Sequence, residues 1–175
     1  GLVEICGRPM VEFVIDSLRP HVASIILNAN RNLEYYTRFG CPVVSDDVSG
    51  FLGPLAGILS GARAASTELI LTAPCDSPLV PGYLTERLYQ ARAQANAEIS
   101  VAHDGKRPQP VFSLFSVDLA SSIDDFLTSG ERKIDRWYER HHTVFASFAD
   151  QPNRLANINR MSELRELEPG LSAGE

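Results

Sequence analysis

The sequence predicts a layered α/β fold around a mostly parallel, twisted sheet. Two observations carry this expectation. Short apolar runs of strand length recur between stretches of helical periodicity, and several of them are nearly continuous in apolar residues, as strands covered on both faces of a parallel sheet are. The alternation is regular through the first half and mixed in the second, which suits strands layered between helices rather than an all-β or all-α arrangement.

The elements follow in order. Leu2 to Cys6 alternates like a strand and closes in a turn at Gly7-Arg8-Pro9; because the pattern starts at once on Gly1 rather than on a methionine, the chain is expected to begin inside a domain. Pro9 suits the first turn of a helix in which Met10, Phe13, Val14 and Leu18 share a face, ended by Pro20. Ser24 to Leu27 is a strand ending at Asn28-Ala29-Asn30. A helical stretch from Arg31 to Phe39 leads to the strand Pro42 to Val44, which ends at Ser45-Asp46-Asp47. After a loop from Val48 to Gly53, Pro54 opens a helix with Leu55, Ile58, Leu59, Ala62 and Ala65 on one side. The strand Glu68 to Thr72 runs into Pro74-Cys75-Asp76-Ser77-Pro78. A helix from Pro81 follows, with Leu84, Leu88, Ala91 and Ala95 inward. Strands Glu98 to Ala102 and Val111 to Phe115 form a wide hairpin through Asp104-Gly105. Helices Leu119 to Leu127 and Lys133 to Glu139, a strand Val144 to Phe148, and a last helix from about Met161 complete the reading.

Composition limits the function classes. The chain has 175 residues, 44% of them hydrophobic and 22% charged, which suits one globular domain over residues 1–175. A net charge of -6 argues against nucleic acid as a partner, since nucleic-acid binders present basic surfaces. No apolar run long enough for a membrane span and no signal-peptide pattern occurs. The three cysteines are odd in number and widely spaced, as reduced cytoplasmic thiols are.

In open α/β sheets ligands bind at the carboxyl ends of the strands, where loops and helix N-termini converge. Asn28, Asp46 and Asp76 each stand just beyond an apolar strand, so a parallel arrangement sets all three on one edge. Bland readings stand beside this: Asn28 or Asn30 as a helix cap, Asp46 in a turn with Asp47, and Asp76 or Ser77 capping the helix at Pro81. Asp76 resists the bland reading best, because Pro74 and Pro78 hold it on rigid backbone. Gly53 and Gly57 flank a helix start whose free N–H groups can meet a phosphate, or else serve close packing. Asp104-Gly105-Lys106-Arg107 reads first as a surface turn. The histidines show no zinc spacing with the cysteines, no nucleophile elbow is present, and Cys75 is expected to be a small buried residue.

Taken together, Asn28-Ala29-Asn30-Arg31, Asp46, Gly53-Pro54-Leu55-Ala56-Gly57, Pro74-Cys75-Asp76-Ser77-Pro78, His103-Asp104-Gly105 and Asn157-Ile158-Asn159 resemble molybdenum cofactor guanylyltransferase over nearly the whole chain. The resemblance implies a Rossmann-like three-layer sandwich, a nucleotide-diphospho-sugar transferase-like fold, that joins GMP from GTP to molybdopterin and releases diphosphate with Mg²⁺ as cofactor. It implies that Asn28 and Asp46 contact the guanosine part, that Asp76 holds the metal, and that Gly53 and Gly57 let the nucleotide approach the backbone. Arg107, Asn157 and Asn159 fall on the molybdopterin side, with Asn159 shared between that role and second metal ligand. Proteins that make and insert the molybdenum cofactor are the natural partners. The family pattern also places a strand and a glycine-rich loop, Leu-Ala-Gly-Gly-x-x-x-Arg-Met-Gly, ahead of the position of Gly1. Without that triphosphate cradle, these residues are expected neither to hold GTP tightly nor to turn it over. A molybdopterin cytidylyltransferase, a sugar-phosphate nucleotidyltransferase and a noncatalytic nucleotide-binding protein are the alternatives.

Overall fold

The computed structural model describes residues 1–46 and 53–158. It opens with a tight hairpin, β1 (Glu4–Ile5) against β2 (Arg8–Pro9), turned by Cys6 and Gly7 at φ of 50° and 75°. Two successive positive φ angles give the two-residue turn whose twist matches that of its strands. The turn therefore falls earlier than the Gly7-Arg8-Pro9 of the sequence reading, and Arg8 and Pro9 pair instead. Helix α1 (Met10–Leu18) follows and buries Met10, Val11, Val14, Ile15 and Leu18. Next come β3 (Leu27–Asn28), α2 (Leu33–Tyr36), β4 (Val43–Val44), α3 (Pro54–Ala64) and β5 (Leu69–Thr72).

The second half holds α4 (Leu84–Ala95), β6 (Ile99–His103), β7 (Pro108–Ser116), α5 (Ala120–Thr128), α6 (Ile134–Tyr138) and β8 (Thr143–Ser147). Helix α4 starts three residues later than Pro81, because Pro81 to Tyr83 form a lead-in turn in which Leu84 N–H donates to Pro81 O at 3.0 Å. The helix expected near Met161 lies outside the described residues.

The four-stranded sheet has the order β5-β7-β6-β8. Strand β7 is antiparallel to β5 and to β6, and β8 is parallel to β6, so three of the four strands run one way. Strands β3 and β4 make a separate parallel pair with Asn28 opposite Val44. Side chains alternate between two cores, as the period of a strand requires. Ile70, Ile99, Val101 and Phe115 face α3, α5 and α6, where Trp137 is fully buried. Leu69, Leu71, Ala102, Phe112 and Leu114 face α1 and α4. The result is the three-layer α/β sandwich expected from the sequence.

One expectation fails in an informative way. Ile25, Ile26 and all four residues of β5 are only partly buried, although their apolar character predicts cover on both faces. Among the described residues β3 pairs along one edge only, with β4, and β5 along one edge only, with β7. Between the other two edges runs a groove of about 760 Å³.

Candidate functional site

The parallel register of β3 and β4 builds the first half of the site. It puts Asn28 opposite Val44, so Asp46, two residues on, comes level with the asparagines beyond β3. Asn28 Nδ2 donates to Asp46 Oδ1 at 2.9 Å and Asn30 Nδ2 donates to Oδ2 at 2.8 Å. The Asp46 amide donates back to Asn30 Oδ1 at 2.9 Å, which closes a reciprocal pair. Ser45 Oγ donates to Ala29 O at 3.0 Å and ties the two loops together. The capping alternative for Asn28 and Asn30 is thereby overturned: α2 is preceded by Asn32 in a left-handed conformation with no side-chain cap, and both earlier asparagines serve Asp46.

Helix α3 supplies the floor. Gly53 stands at φ 71° immediately before Pro54, a backbone that only glycine adopts cheaply, and no side chain caps the helix. Among the described residues the amide N–H groups of its first turn thus have no side-chain cap, at the positive end of the helix dipole. A Cβ on Gly57 would stand 2.3 Å from Asn28 Oδ1 and 2.8 Å from Asn28 Cγ, so glycine here is what lets the asparagine lie across the helix. Asn28, Pro54 and Gly57 line the end of the groove whose other wall is Pro74 and Cys75.

The second half of the site is the loop beyond β5. Asp76 is partly buried, and among the described residues its carboxylate enters no hydrogen bond or ion pair; its main-chain oxygen accepts from Ile158 N–H at 2.9 Å. Ser77 is fully buried and donates to Asn157 Oδ1 at 2.7 Å, so it pins the far segment rather than capping a helix. Ile158 packs with Ile5 and Met10, which fastens this segment to the first hairpin. Cys75 is exposed, not buried as the sequence reading expected, because the chain has already left the sheet at Ala73 and the thiol faces the mouth of the groove. None of the three cysteines forms a disulfide. Burial pushes the Tyr36 phenol above its ordinary value, and the neighbouring Cys75 adds to that shift.

The structure thus joins Asn28, Asp46 and Gly57 in one cluster and Asp76 with Asn157 in another. Arg107 belongs to neither. It lies in the β6–β7 turn, where Asp104 Oδ1 accepts from Lys106 N–H and Arg107 N–H at 2.7 and 2.8 Å. Burial pushes the Asp104 carboxyl upward, but those two amides and the Gln109 side chain outweigh it and hold the group below its ordinary value. Asn159 lies outside the described residues. Two contributors, Asn30 and Ser77, were weighed from the sequence only as helix caps. Asn30 could have been found from its place two residues after Asn28, since strand neighbours at i and i+2 share a face; Ser77 gave no separate signal.

Among the described residues no group of three or more His, Cys, Asp or Glu side chains gathers around a point. A single carboxylate in a polar loop does not make an all-protein metal cage. It does fit a hard cation that keeps several waters and takes one or two carboxylates plus phosphate oxygens. No helix among the described residues is long and apolar enough to cross a membrane.

Comparison with known proteins extends this geometry. The family model described as MobA-like NTP transferase domain matches residues 1–144. The molybdenum cofactor guanylyltransferase of Shewanella pealeana is 45% identical over 175 residues, which is 100% of this chain and 88% of that protein. Among solved structures, molybdopterin-guanine dinucleotide biosynthesis protein A from Archaeoglobus fulgidus superposes with a TM-score of 0.79 at 22% identity, covering 98% of this chain and 89% of that one. The 2-C-methyl-D-erythritol 4-phosphate cytidylyltransferase from Thermus thermophilus superposes with a TM-score of 0.76 at 14% identity, covering 98% and 93%. These two structural likenesses speak for the fold alone. Membership of a nucleotidyltransferase family points to a requirement for a divalent metal, and on the matched domain and the relative at 45% identity the chain belongs to the MobA-like NTP transferase family, among the molybdenum cofactor guanylyltransferases.

Proposed function

We propose that the chain transfers GMP from GTP to molybdopterin, with Asn28, Asp46 and Asp76 as the residues that hold the nucleotide and its metal. The observation that carries this reading is the amide–carboxylate clamp of Asn28, Asp46 and Asn30 laid across Gly57 at the start of α3. A carboxylate has about four acceptor sites. The two asparagines occupy two of them, which leaves acceptors for the N1–H and N2–H donors of guanine. A cytosine ring offers no such adjacent pair.

The remaining parts follow the same logic. The first-turn amides of α3 and the bare Gly53 backbone admit the nucleotide, and Gly57 gives the room in which Asn28 lies across the helix to meet it. Asp76 is the ligand for Mg²⁺, which when bound neutralises phosphate charge; Asn157, pinned by Ser77, is assigned to the molybdopterin side, and Asn159 and Arg107 carry the same assignment from the family resemblance alone. An oxygen of the molybdopterin phosphate attacks the α-phosphorus of GTP, a new phosphoanhydride bond forms, and the bond to the leaving diphosphate breaks. That oxygen is already ionised near neutral pH, so no general base is needed and alignment does most of the work. The triphosphate is assigned to a glycine-rich loop of the kind the family pattern carries, and the setting is the cytoplasm, with proteins of molybdenum cofactor assembly as partners.

The test compares GTP, CTP and UTP consumption with molybdopterin as acceptor, in protein bearing that loop. GTP alone should be consumed, with diphosphate released. Asp76→Asn should remain folded and lose turnover by a factor on the order of 10²–10³, the several kcal/mol that a bound metal supplies. Preference for CTP would overturn the base assignment. Binding without turnover by the unaltered protein would make it a nucleotide-binding module instead.

A further inference from the structure

Reading guanine makes a demand on Asp46 that the carboxylate cannot meet by itself. An aspartate side chain turns about two bonds, and the second has a broad two-fold preference rather than sharp staggered wells. To accept from N1–H and N2–H at once, the carboxylate plane has to stand edge-on to the base, since a pair of parallel hydrogen bonds is a matter of geometry as well as charge. Asp46 is only partly buried, and no apolar packing of its own holds that plane. Whatever orients the carboxylate before the nucleotide arrives also decides how well the two donors are told from one.

Two asparagines touch the carboxylate, and they do so differently. Asn28 Nδ2 divides its donors, standing 2.9 Å from Asp46 Oδ1 and 3.5 Å from Val44 O. Asn30 spends both ends of its amide on the one residue. Its Nδ2 donates to Asp46 Oδ2 at 2.8 Å, and its Oδ1 accepts from the Asp46 N–H at 2.9 Å. The hydrogen-bonded ring closed in this way runs from the Asp46 main-chain nitrogen through Cα, Cβ and Cγ to Oδ2. Both side-chain torsions of Asp46 are therefore members of the ring, and neither can turn without breaking it. The backbone that carries Asn30 is anchored to the same loop, because Ala29 N–H donates to Val44 O at 2.9 Å and Ala29 O accepts from Ser45 Oγ at 3.0 Å.

From this ring we infer that Asn30 is a positioning residue that determines base specificity: it presets the carboxylate plane with which Asp46 reads the N1–H and N2–H of guanine, and it acts through Asp46 without touching the nucleotide. Ordering that would otherwise be lost on binding is complete beforehand, and the gain falls on a base that offers two donors rather than one. The inference rests on the guanine reading given above and adds to it the residue that makes the reading selective.

Steady-state kinetics with GTP and with inosine triphosphate, whose base keeps N1–H and lacks the 2-amino group, test it in the protein used for the comparison of GTP, CTP and UTP. The parent should favour GTP by about tenfold or more in kcat/KM, the effect of one donor to a charged acceptor. Asn30→Ala should lose most of that preference through a higher KM for GTP, with kcat changed by less than about twofold. Asn30→Asp keeps an acceptor for the Asp46 N–H, replaces the donor with a second carboxylate, and should lose at least as much. Both variants should melt within about 2 °C of the parent, because water readily replaces hydrogen bonds in an exposed loop. A preference retained in Asn30→Ala would overturn the inference, and so would a KM raised equally for both nucleotides, which is what a mere loop tie would give. Those two outcomes leave the guanine reading standing. A parent that uses inosine triphosphate as well as GTP would sink that reading itself, and this inference with it.

Discussion

A single methyl group at either of two glycines in α3 separates the site from its scaffold. Gly57 and Gly61 are both in the body of the helix, where replacing glycine by alanine stabilises by about 1 kcal/mol. At Gly61 the new Cβ meets nothing within 4 Å, so Gly61→Ala should show that gain in full. For a chain of this size 1 kcal/mol corresponds to about 2–4 °C in melting temperature. At Gly57 the same methyl would stand 2.3 Å from Asn28 Oδ1, which the asparagine can relieve only by leaving Asp46. A hydrogen bond to a charged group is worth about 1.5–3 kcal/mol, and the exposure of Asn28 puts this one at the lower end. Gly57→Ala should therefore melt at or slightly below the parent temperature, a few degrees under Gly61→Ala. Thermal unfolding of both variants, repeated in an Asn28→Ala background, measures the coupling directly. With Asn28 truncated, Gly57→Ala should recover the full gain. If Gly57→Ala alone stabilises as much as Gly61→Ala, the asparagine is not held across the helix and the site geometry argued above is wrong.

Three further outcomes follow from named contacts. Ser77→Ala should cost about 1 kcal/mol and speed hydrogen exchange at the Ile158 amide selectively, since the serine pins Asn157 beside it; unchanged protection there would contradict the pin. Trp137→Ala should cost about 3–5 kcal/mol in urea unfolding, because the indole is fully buried and its Nε1–H donates to Ser122 Oγ; a loss below about 1 kcal/mol would be incompatible with its place in the core. Glu98 accepts from His142 N–H and pairs with His141, and these contacts hold its carboxyl below the ordinary value of 4.5. A lowered value means that its contribution is fully present above pH 4.5 and fades as the pH falls through the lowered value. The stability difference between the parent and Glu98→Gln should show that acid-side loss.

The legible and illegible parts of the chain differ in range. Asn28, Asp46 and Asp76 could be read because each follows a short apolar run, and the position of a residue just past a strand is a local property. The hairpin of β6 and β7 was readable for the same reason, its turn residues Asp104 and Gly105 being adjacent. The partial burial of Ile25, Ile26 and β5 was not readable, because it depends on which strands lie beside them and not on their own composition. The exposure of Cys75 was missed likewise: an apolar-looking thiol next to a strand is buried only if the strand continues, and here the sheet ends first. Asn157 entered the sequence reading only through resemblance, since no local pattern connects it to Ser77, eighty positions earlier.

Register links the packing of the first sheet to its chemistry. Leu27 faces Val43 and Asn28 faces Val44, and side chains alternate along each strand. Moving β4 by one residue against β3 would turn its side chains over and carry Asp46 away from both asparagine amides. Leu27 packs with Val11, Ile15 and Cys41, and Val43 packs against the same cluster. Those apolar contacts fix the register, and the register alone brings a carboxylate and two amides to within 3 Å of one another in a solvent-facing loop. A polar cluster on the surface is weakly held by its own hydrogen bonds, which water can replace. Its geometry is therefore only as firm as the small core beneath it, and substitutions in that core, Leu27→Ala among them, will loosen the Asp46 cluster without touching any of its polar groups.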